Sequence, residues 1–336
     1  MRGLPPERPG PIGRRTAGAL LAAALVLGAA GAGARPAPAG DTPATLTQEP
    51  STTVSPLTIT SEIPKLSRSE LSRAVDHFLR ARQIVTRVDR VARWREPICV
   101  ETLGLPDAMN AAITRRIAQV GATIGAPAAD APGCKANIEV VFTAEPQAFI
   151  DLVARRQWIL LGYHYASQTE RISRITHPIQ AWYVTGTRSF SNGTAAVAGT
   201  VAESTVGTGQ IALDDPLNRA PGGGLGSRIP DSLQSEFANV LVLVDQAKVA
   251  GQSTEAIADY VAVLAFAPVA NLEACNPLPS ILDLFAGCAP PRDPQSLTGS
   301  DLAYLKALYS VNTRLEVTMA RSAIWSDMMS SLARRR

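Results

Sequence analysis

Four cysteines restrict the folds open to this 336-residue chain more than any other feature of its sequence. Cys99 and Cys134 flank a predicted helical segment, and Cys275 and Cys288 flank a proline-rich loop. Four cysteines allow three connectivities, and the sequence-local one is preferred because each pair then lies within one supersecondary unit. No Cys-x-x-Cys spacing occurs and no histidine lies near a cysteine, which argues against a zinc site. We therefore expect the disulfides Cys99–Cys134 and Cys275–Cys288.

Residues 1–34 have the three parts of a secretory signal peptide. A basic region ends at Arg15, and the 15 residues Ala19–Gly33 form an apolar run, shorter than the roughly 20 residues that span a bilayer. Small residues follow, so we expect cleavage after Ala34 or Ala39. The expected destination is the periplasm or the exterior, where disulfides persist. An uncleaved signal anchor stays open, as does the choice between Sec and twin-arginine export.

Downstream of the signal, the chain divides into an arm and a globular part. Residues 35–65 are rich in proline, threonine and serine without helical periodicity, which predicts a disordered, mobile N-terminal arm. In residues 66–336, strand and helix patterns alternate irregularly. This irregularity favours a single α+β domain over a regular parallel α/β sheet. The predicted fold is a mixed sheet packed with several helices.

Apolar periodicity and capping residues place the elements of this domain. Helices are predicted from near Leu66, from Pro106 to around Gly121–Gly125, from Pro146, from about Thr254 to Ala267, after Thr298, and from about Leu315 to Ala333. Strands are predicted at Val85–Trp94, Asn137–Thr143, Ile179–Thr185 and Asn239–Gln246, with hairpins and exposed loops across 186–235.

The charge distribution argues against a dedicated nucleic-acid binder. The chain has a net charge of +3, and residues 1–34 carry all of this excess, so the rest is neutral overall. Nucleic-acid-binding domains need clustered positive charge instead. No later segment has 18 consecutive apolar residues, so we expect no membrane span after signal cleavage.

Motifs for common catalytic chemistries are missing. No Gly-x-Ser-x-Gly elbow occurs, and the glycine run Gly222–Gly226 lacks the Lys-Ser/Thr pair of a phosphate-binding loop. The candidate ligand-binding residues are His164 between two tyrosines, His177 before a proline, and Asp259 and Tyr260 on a late helix. Three of them also have a structural interpretation: His164 is then a solvent-facing or structural histidine, Tyr260 packs in the core, and Asp259 bonds the backbone or an arginine.

Several short motifs resemble those of a group of exported bacterial proteins of unknown activity. They are Trp94–Cys99, Gly104–Pro106, Gly133–Ile138, Ala258–Ala262 and Ser280–Phe285, and the resemblance covers roughly residues 66–310. The order of a strand, a late helix, a loop and a terminal helix pair also resembles zincin-like metallopeptidases.

A zincin helix carries two zinc-binding histidines and a glutamate base in a His-Glu-x-x-His motif. The matching helix here has no histidine, and the chain has only His77, His164 and His177. The resemblance therefore implies a zincin-like fold without HExxH, and we expect no metal and no cofactor.

Two functions remain open from the sequence. The favoured one is an exported cell-envelope protein that acts as a non-enzymatic binding or structural module, with an envelope component or a small ligand as its partner. The alternative is a peptidase-related hydrolase that assembles its site from distant residues. The hydrolase alternative predicts a cleft with convergent His, Asp and Tyr side chains, and whether His164, His177 and Asp259 converge is its main test.

Overall fold

The structure, a computed structural model, describes residues 65–82, 89–128, 133–162, 166–189, 195–197, 233–290 and 292–334. The predicted signal peptide and all but the last residue of the predicted arm lie outside the described residues, as do most of the loops predicted across 186–235. The domain boundaries at residues 34 and 65 therefore stay predictions.

The described residues form a mixed sheet of five strands together with seven α-helices. The strands are β1 (Val100–Leu103), β2 (Ile138–Thr143), β3 (Ile179–Ser189), β4 (Ala195–Val197) and β5 (Leu233–Asp245). The helices are α1 (Arg68–Arg82), α2 (Asp107–Ile124), α3 (Pro146–Arg156), α4 (Ala166–Ile172), α5 (Thr254–Phe266), α6 (Gly299–Ser310) and α7 (Val317–Ala333). Short 3-10 helices span Trp158–Leu161 and Ile281–Phe285.

The sheet order is β1-β2-β5-β3-β4. Strands β1, β2 and β5 run parallel, β3 is antiparallel to β5, and β4 is antiparallel to β3. This arrangement confirms the predicted α+β class with a mixed sheet. The strand predicted at 85–94 is wrong in its described part, because residues 89–94 form only one isolated bridge, between Arg93 and Glu236.

Strand β5 lies at the centre of the sheet, and its second half is apolar on both faces. Val240, Val242 and Val244 point into the larger of two hydrophobic clusters, which also contains side chains of α1, α2, α5, α6 and α7. Leu241 and Leu243 point into a smaller cluster formed with α3, α4 and the first 3-10 helix. The alternation of a strand thus separates the helices into two layers. In the described part of the chain, no helix is long and apolar enough to cross a membrane.

Local sequence signals fix several ends of these elements. Ser67 and Glu70 form a capping box at the start of α1, in which the Ser67 N–H donates to Glu70 Oε2 over 2.7 Å and the Glu70 N–H donates to the Ser67 hydroxyl over 3.3 Å. Gly104, in the turn after β1, has φ +96°, and a Cβ there would lie 1.9 Å from the Phe142 carbonyl oxygen. Only glycine fits this turn, which leads directly into α2.

The two predicted disulfides are confirmed. Cys99 and Cys134 lie before β1 and β2, with their Cα atoms 6.0 Å apart, so this bond closes the β1-α2-β2 unit. Cys275 and Cys288 have Cα atoms 5.5 Å apart and enclose the second 3-10 helix.

Removing the second disulfide with Cys275→Ser and Cys288→Ser is expected to lower the free energy of unfolding by about 3 kcal/mol. The bond joins cysteines with a sequence separation of 13, and restricting a loop of this size in the unfolded chain is worth about this much. Urea unfolding of the oxidised protein and the double variant measures the difference. A loss below about 1 kcal/mol would contradict the prediction.

Candidate functional site

Asp259, a candidate from the sequence, lies in the interior on α5 and pairs with Arg116 of α2. Arg116 Nε donates to Asp259 Oδ1 over 2.7 Å, and Nη2 donates to Oδ2 over 2.8 Å. The backbone N–H of Leu297 also donates to Oδ2, over 2.6 Å. The exposed fractions are 0% for Asp259 and 4% for Arg116. Both carboxylate oxygens therefore accept hydrogen bonds from this chain itself.

The close approach of α2 to α5 allows this pairing. A Cβ on Gly121 of α2 would lie 2.8 Å from the ring of Phe266, so a larger residue there would force that ring to move, and glycine lets the two helices lie close together. Glu255 of α5 places Oε1 2.8 Å from Arg116 Nη2. Burial lowers the pKa of Arg116, but the hydrogen bonds to Asp259 and the charges of Asp259 and Glu255 outweigh it and raise that pKa above its usual value.

Tyr260, the next candidate, is also an interior residue. It is 1% exposed, and its ring packs edge-on against Phe285 with the ring centroids 5.4 Å apart. Burial raises the pKa of Tyr260 above its usual value, so the hydroxyl stays protonated. Every residue from Ala256 to Phe266 is buried. Asp259 and Tyr260 are thus packed inside the protein rather than placed on a surface cleft.

His177 lies just before β3 and has different partners. Its Nδ1 is hydrogen-bonded to the Thr176 hydroxyl over 2.8 Å, and its Nε2 lies 3.7 Å from a carboxylate oxygen of Glu273. His164 lies outside the described residues. His177 and Asp259 share no partner among these contacts. Within the described ranges, no three His, Cys, Asp or Glu side chains lie close enough to hold a metal ion.

A second buried network centres on Asp301 at the start of α6. Asp301 Oδ1 accepts hydrogen bonds from the Ser280 hydroxyl over 2.7 Å and from Arg82 Nη2 over 3.2 Å. Oδ2 accepts from the Ile281 N–H over 2.7 Å and from the Thr298 hydroxyl over 2.8 Å. These bonds join α1, α6 and the loop enclosed by the second disulfide.

The same loop holds another buried carboxylate, Asp283. Its Oδ2 accepts from Arg292 Nη1 over 2.8 Å and from the Ser280 N–H over 3.1 Å. Arg292 Nη1 also donates to the Asn276 carbonyl over 2.6 Å, and Asn276 Oδ1 is hydrogen-bonded to His77 Nδ1 over 2.6 Å. Burial raises the pKa of Asp283 above its usual value, although Arg292 opposes this. These charged groups hold the loop in place, which is a structural role.

A surface groove between α1 and α7 is the candidate binding site. It has a volume of about 370 Å³ and is lined by Ser72, Arg73, Asp76, Arg321, Ser322 and Trp325. Arg321 Nη2 donates to Asp76 Oδ1 over 2.7 Å, and the Trp325 indole N–H donates to the Ser72 carbonyl over 3.4 Å. These two contacts hold the walls of the groove together.

Arg73 gives the groove its available positive charge. Its side chain is exposed, and within the described part of the chain it forms no ion pair or hydrogen bond. The lining carboxylate of Asp76 is already shared by Arg80, at 2.6 Å, and Arg321, at 2.7 Å. A guanidinium beside the half-buried indole of Trp325 suits a planar anionic group such as a carboxylate.

No pattern in the sequence points directly to this groove, since Asp76 and Arg321 are 245 positions apart. One partial signal was present. Arg73 and Asp76 are three residues apart on α1 and therefore share a helical face, but nothing in that spacing identifies α7 as the facing helix.

The chain matches no family model, and no curated protein or solved structure matches it significantly. The resemblances to exported bacterial proteins and to zincin-like metallopeptidases therefore stay predictions.

Proposed function

We propose that this chain is an exported, non-enzymatic binding module whose α1–α7 groove takes a small ligand that carries a carboxylate group. The observation that carries this proposal is the exposed guanidinium of Arg73, which has no partner within the described residues and lies in the groove with Trp325. A planar carboxylate accepts two parallel N–H hydrogen bonds from a guanidinium group.

Export is supported by the apolar run near the N-terminus and by the two disulfides. Disulfides form and persist in oxidising compartments and are rare in the cytosol. The periplasm or the exterior is therefore the proposed location of the mature chain.

A binding role without turnover is supported by the interior position of Asp259 and Tyr260, two of the candidate site residues from the sequence. Asp259 accepts hydrogen bonds from Arg116 and Leu297, and Tyr260 is packed against Phe285. A catalytic acid or base must reach the substrate, whereas these two groups are buried.

Replacing Arg73 with glutamine is expected to weaken binding of hippurate about tenfold, because a hydrogen-bonded charge pair is lost. Hippurate serves as the probe because it carries a carboxylate for Arg73 and a ring that can lie against Trp325. Titration into the protein, followed by the indole N–H resonances in a ¹H–¹⁵N NMR spectrum, measures the affinity. Trp325→Phe identifies the resonance that should move.

Two controls make this test specific. Hippuramide lacks the carboxylate and should bind about tenfold more weakly than hippurate. Arg115→Gln changes an exposed arginine of α2 outside the groove lining and should leave the hippurate affinity unchanged. Equal affinity for hippurate and hippuramide, or an unmoved Trp325 resonance at millimolar hippurate, would contradict the proposed function.

A further inference from the structure

The layer formed by α3 and the first 3-10 helix exposes apolar side chains beside arginines. Leu152 of α3 is 46% exposed, and Trp158 and Ile159 of the 3-10 helix are half-buried. Within the part of the chain that the structure describes, neither Trp158 nor Ile159 packs against a hydrophobic cluster. Arg155 and Arg156 lie between Leu152 and Trp158 in the sequence, and both are exposed. We call these five residues the α3 patch.

The outward direction of the patch is fixed by the inner side of α3. Ile150 and Val153 are buried, at 0% and 8% exposure, and belong to the smaller cluster with Leu241 and Leu243 of β5. Leu152 lies three and four residues before the two arginines, so all three share one helical face. The inner side of α3 thus packs on the sheet, and Leu152, Arg155 and Arg156 lie on its outer side.

Within the described part of the chain, the charged groups of the patch have no counter-charge. Arg155 and Arg156 form no ion pair or hydrogen bond within the described residues. The carboxylate of Asp151, on the same helix, instead accepts a hydrogen bond from Gln147 Nε2 over 2.8 Å. Arg171 of α4, which packs beside the 3-10 helix, adds another exposed cation to this layer. The patch thus combines apolar side chains with unneutralised positive charge.

We propose that the α3 patch docks the exported protein on the surface of an anionic lipid bilayer. Arginine side chains bind lipid phosphates through paired hydrogen bonds. Tryptophan favours the headgroup region, and exposed Leu and Ile side chains insert just below it. A helix that lies parallel to the membrane with apolar side chains inward and arginines at the headgroups has this composition.

The α3 patch and the α1–α7 groove belong to different layers. Side chains of α1 and α7 pack into the larger hydrophobic cluster, whereas α3 packs into the smaller one on the other face of β5. Lipid docking is therefore independent of the proposed ligand groove, and the two proposals can fail separately.

The test is binding of the exported full chain to phosphatidylglycerol vesicles that contain brominated acyl chains. Quenching of Trp158 fluorescence reports contact of the patch itself, and residues 1–34 contain no tryptophan. The matched variant Trp158→Phe gives the contribution of the other tryptophans. We expect quenching with phosphatidylglycerol and at least tenfold weaker quenching with phosphatidylcholine. Binding should weaken as the salt concentration rises from about 50 to about 300 mM, because salt screens the attraction between the arginines and the lipid phosphates.

The double variant Arg155→Gln, Arg156→Gln should need about 25-fold more lipid for half-maximal quenching, because each arginine near the surface contributes about fivefold. Arg68→Gln with Arg115→Gln removes two exposed arginines elsewhere and should leave binding unchanged. Leu152→Ser should weaken binding, whereas Leu103→Ser, at an exposed leucine of β1, should not.

Three results would overturn the proposal. The first is no Trp158 quenching by phosphatidylglycerol vesicles at millimolar lipid. The second is an equal loss of binding in the two double variants, which would make the effect one of net charge. The third is self-association in sedimentation velocity that the patch substitutions abolish while lipid contact stays undetectable, which would assign the patch to a second copy of the chain.

Discussion

Replacing Asp259 with alanine is expected to lower the free energy of unfolding by about 3 to 5 kcal/mol. The substitution leaves the buried Arg116 guanidinium with only the partly exposed Glu255 as a counter-charge, and the Leu297 N–H without its acceptor. Breaking the buried part of such an ion pair is among the most costly changes a core can undergo. Urea unfolding followed by circular dichroism at neutral pH measures the loss.

A double variant separates charge pairing from packing at this position. Arg116→Met with Asp259→Leu removes both buried charges and leaves only the partly exposed Glu255 without its partner, so we expect it to be clearly more stable than Asp259→Ala alone. Arg115→Met, at an exposed position on α2, is the matched control and should change stability by less than about 0.5 kcal/mol. If Asp259→Ala lowered stability by less than about 1 kcal/mol, Asp259 would return to the candidate ligand-binding residues.

Much of the fold could be predicted because its helices are specified by nearby residues. The helix predicted from Thr254 to Ala267 is observed as Thr254–Phe266, with Ser253 capping its first turn. The predicted cap at Thr298 is present, with Asp301 completing a capping box. Strand β2 departs from its prediction by only one residue. In each case, the signal lies within one or two turns of the element that it defines.

The elements that were missed depend on distant contacts. Strand β1 has only four residues and one buried side chain, Thr102, so its apolar pattern is too short to predict, and pairing with β2 makes it a strand. Strand β5 begins at Leu233, six residues before the predicted start. Gln234, Ser235 and Glu236 are polar but buried there, because β3 pairs with this segment. Polar residues of this kind indicate a loop when the partner strand is unknown.

The residues of the site were harder to predict than the fold. Asp259 stood out on its helix, but its partner Arg116 lies 143 residues earlier. Arg82 and Asp301 are separated by 219 residues. Spacing along the chain carries no information on such pairs. A charged residue in an otherwise apolar helix therefore indicates a buried ion-pair partner as much as it indicates a catalytic or binding role.

Replacing Asp301 with asparagine is expected to lower the free energy of unfolding by about 3 to 5 kcal/mol, close to the effect of alanine. The carboxylate accepts hydrogen bonds from Ser280, Arg82, Ile281 and Thr298 through both oxygens. An asparagine amide has only one oxygen, so its NH₂ group would face donors instead of accepting from them. Urea unfolding of both variants against the unmodified chain gives the two values.

Two further substitutions test whether charge or shape holds this network. Asp293→Asn makes the same chemical change at an exposed position and should alter stability by less than about 0.5 kcal/mol. Thr298→Ala removes one donor and the helix cap and should cost about 1 kcal/mol. Asparagine keeps the size of aspartate, so a stable Asp301→Asn variant would show that packing holds α1 and α6 together. A loss near that of alanine would assign the junction to the negative charge, which Arg82 needs because it is 2% exposed.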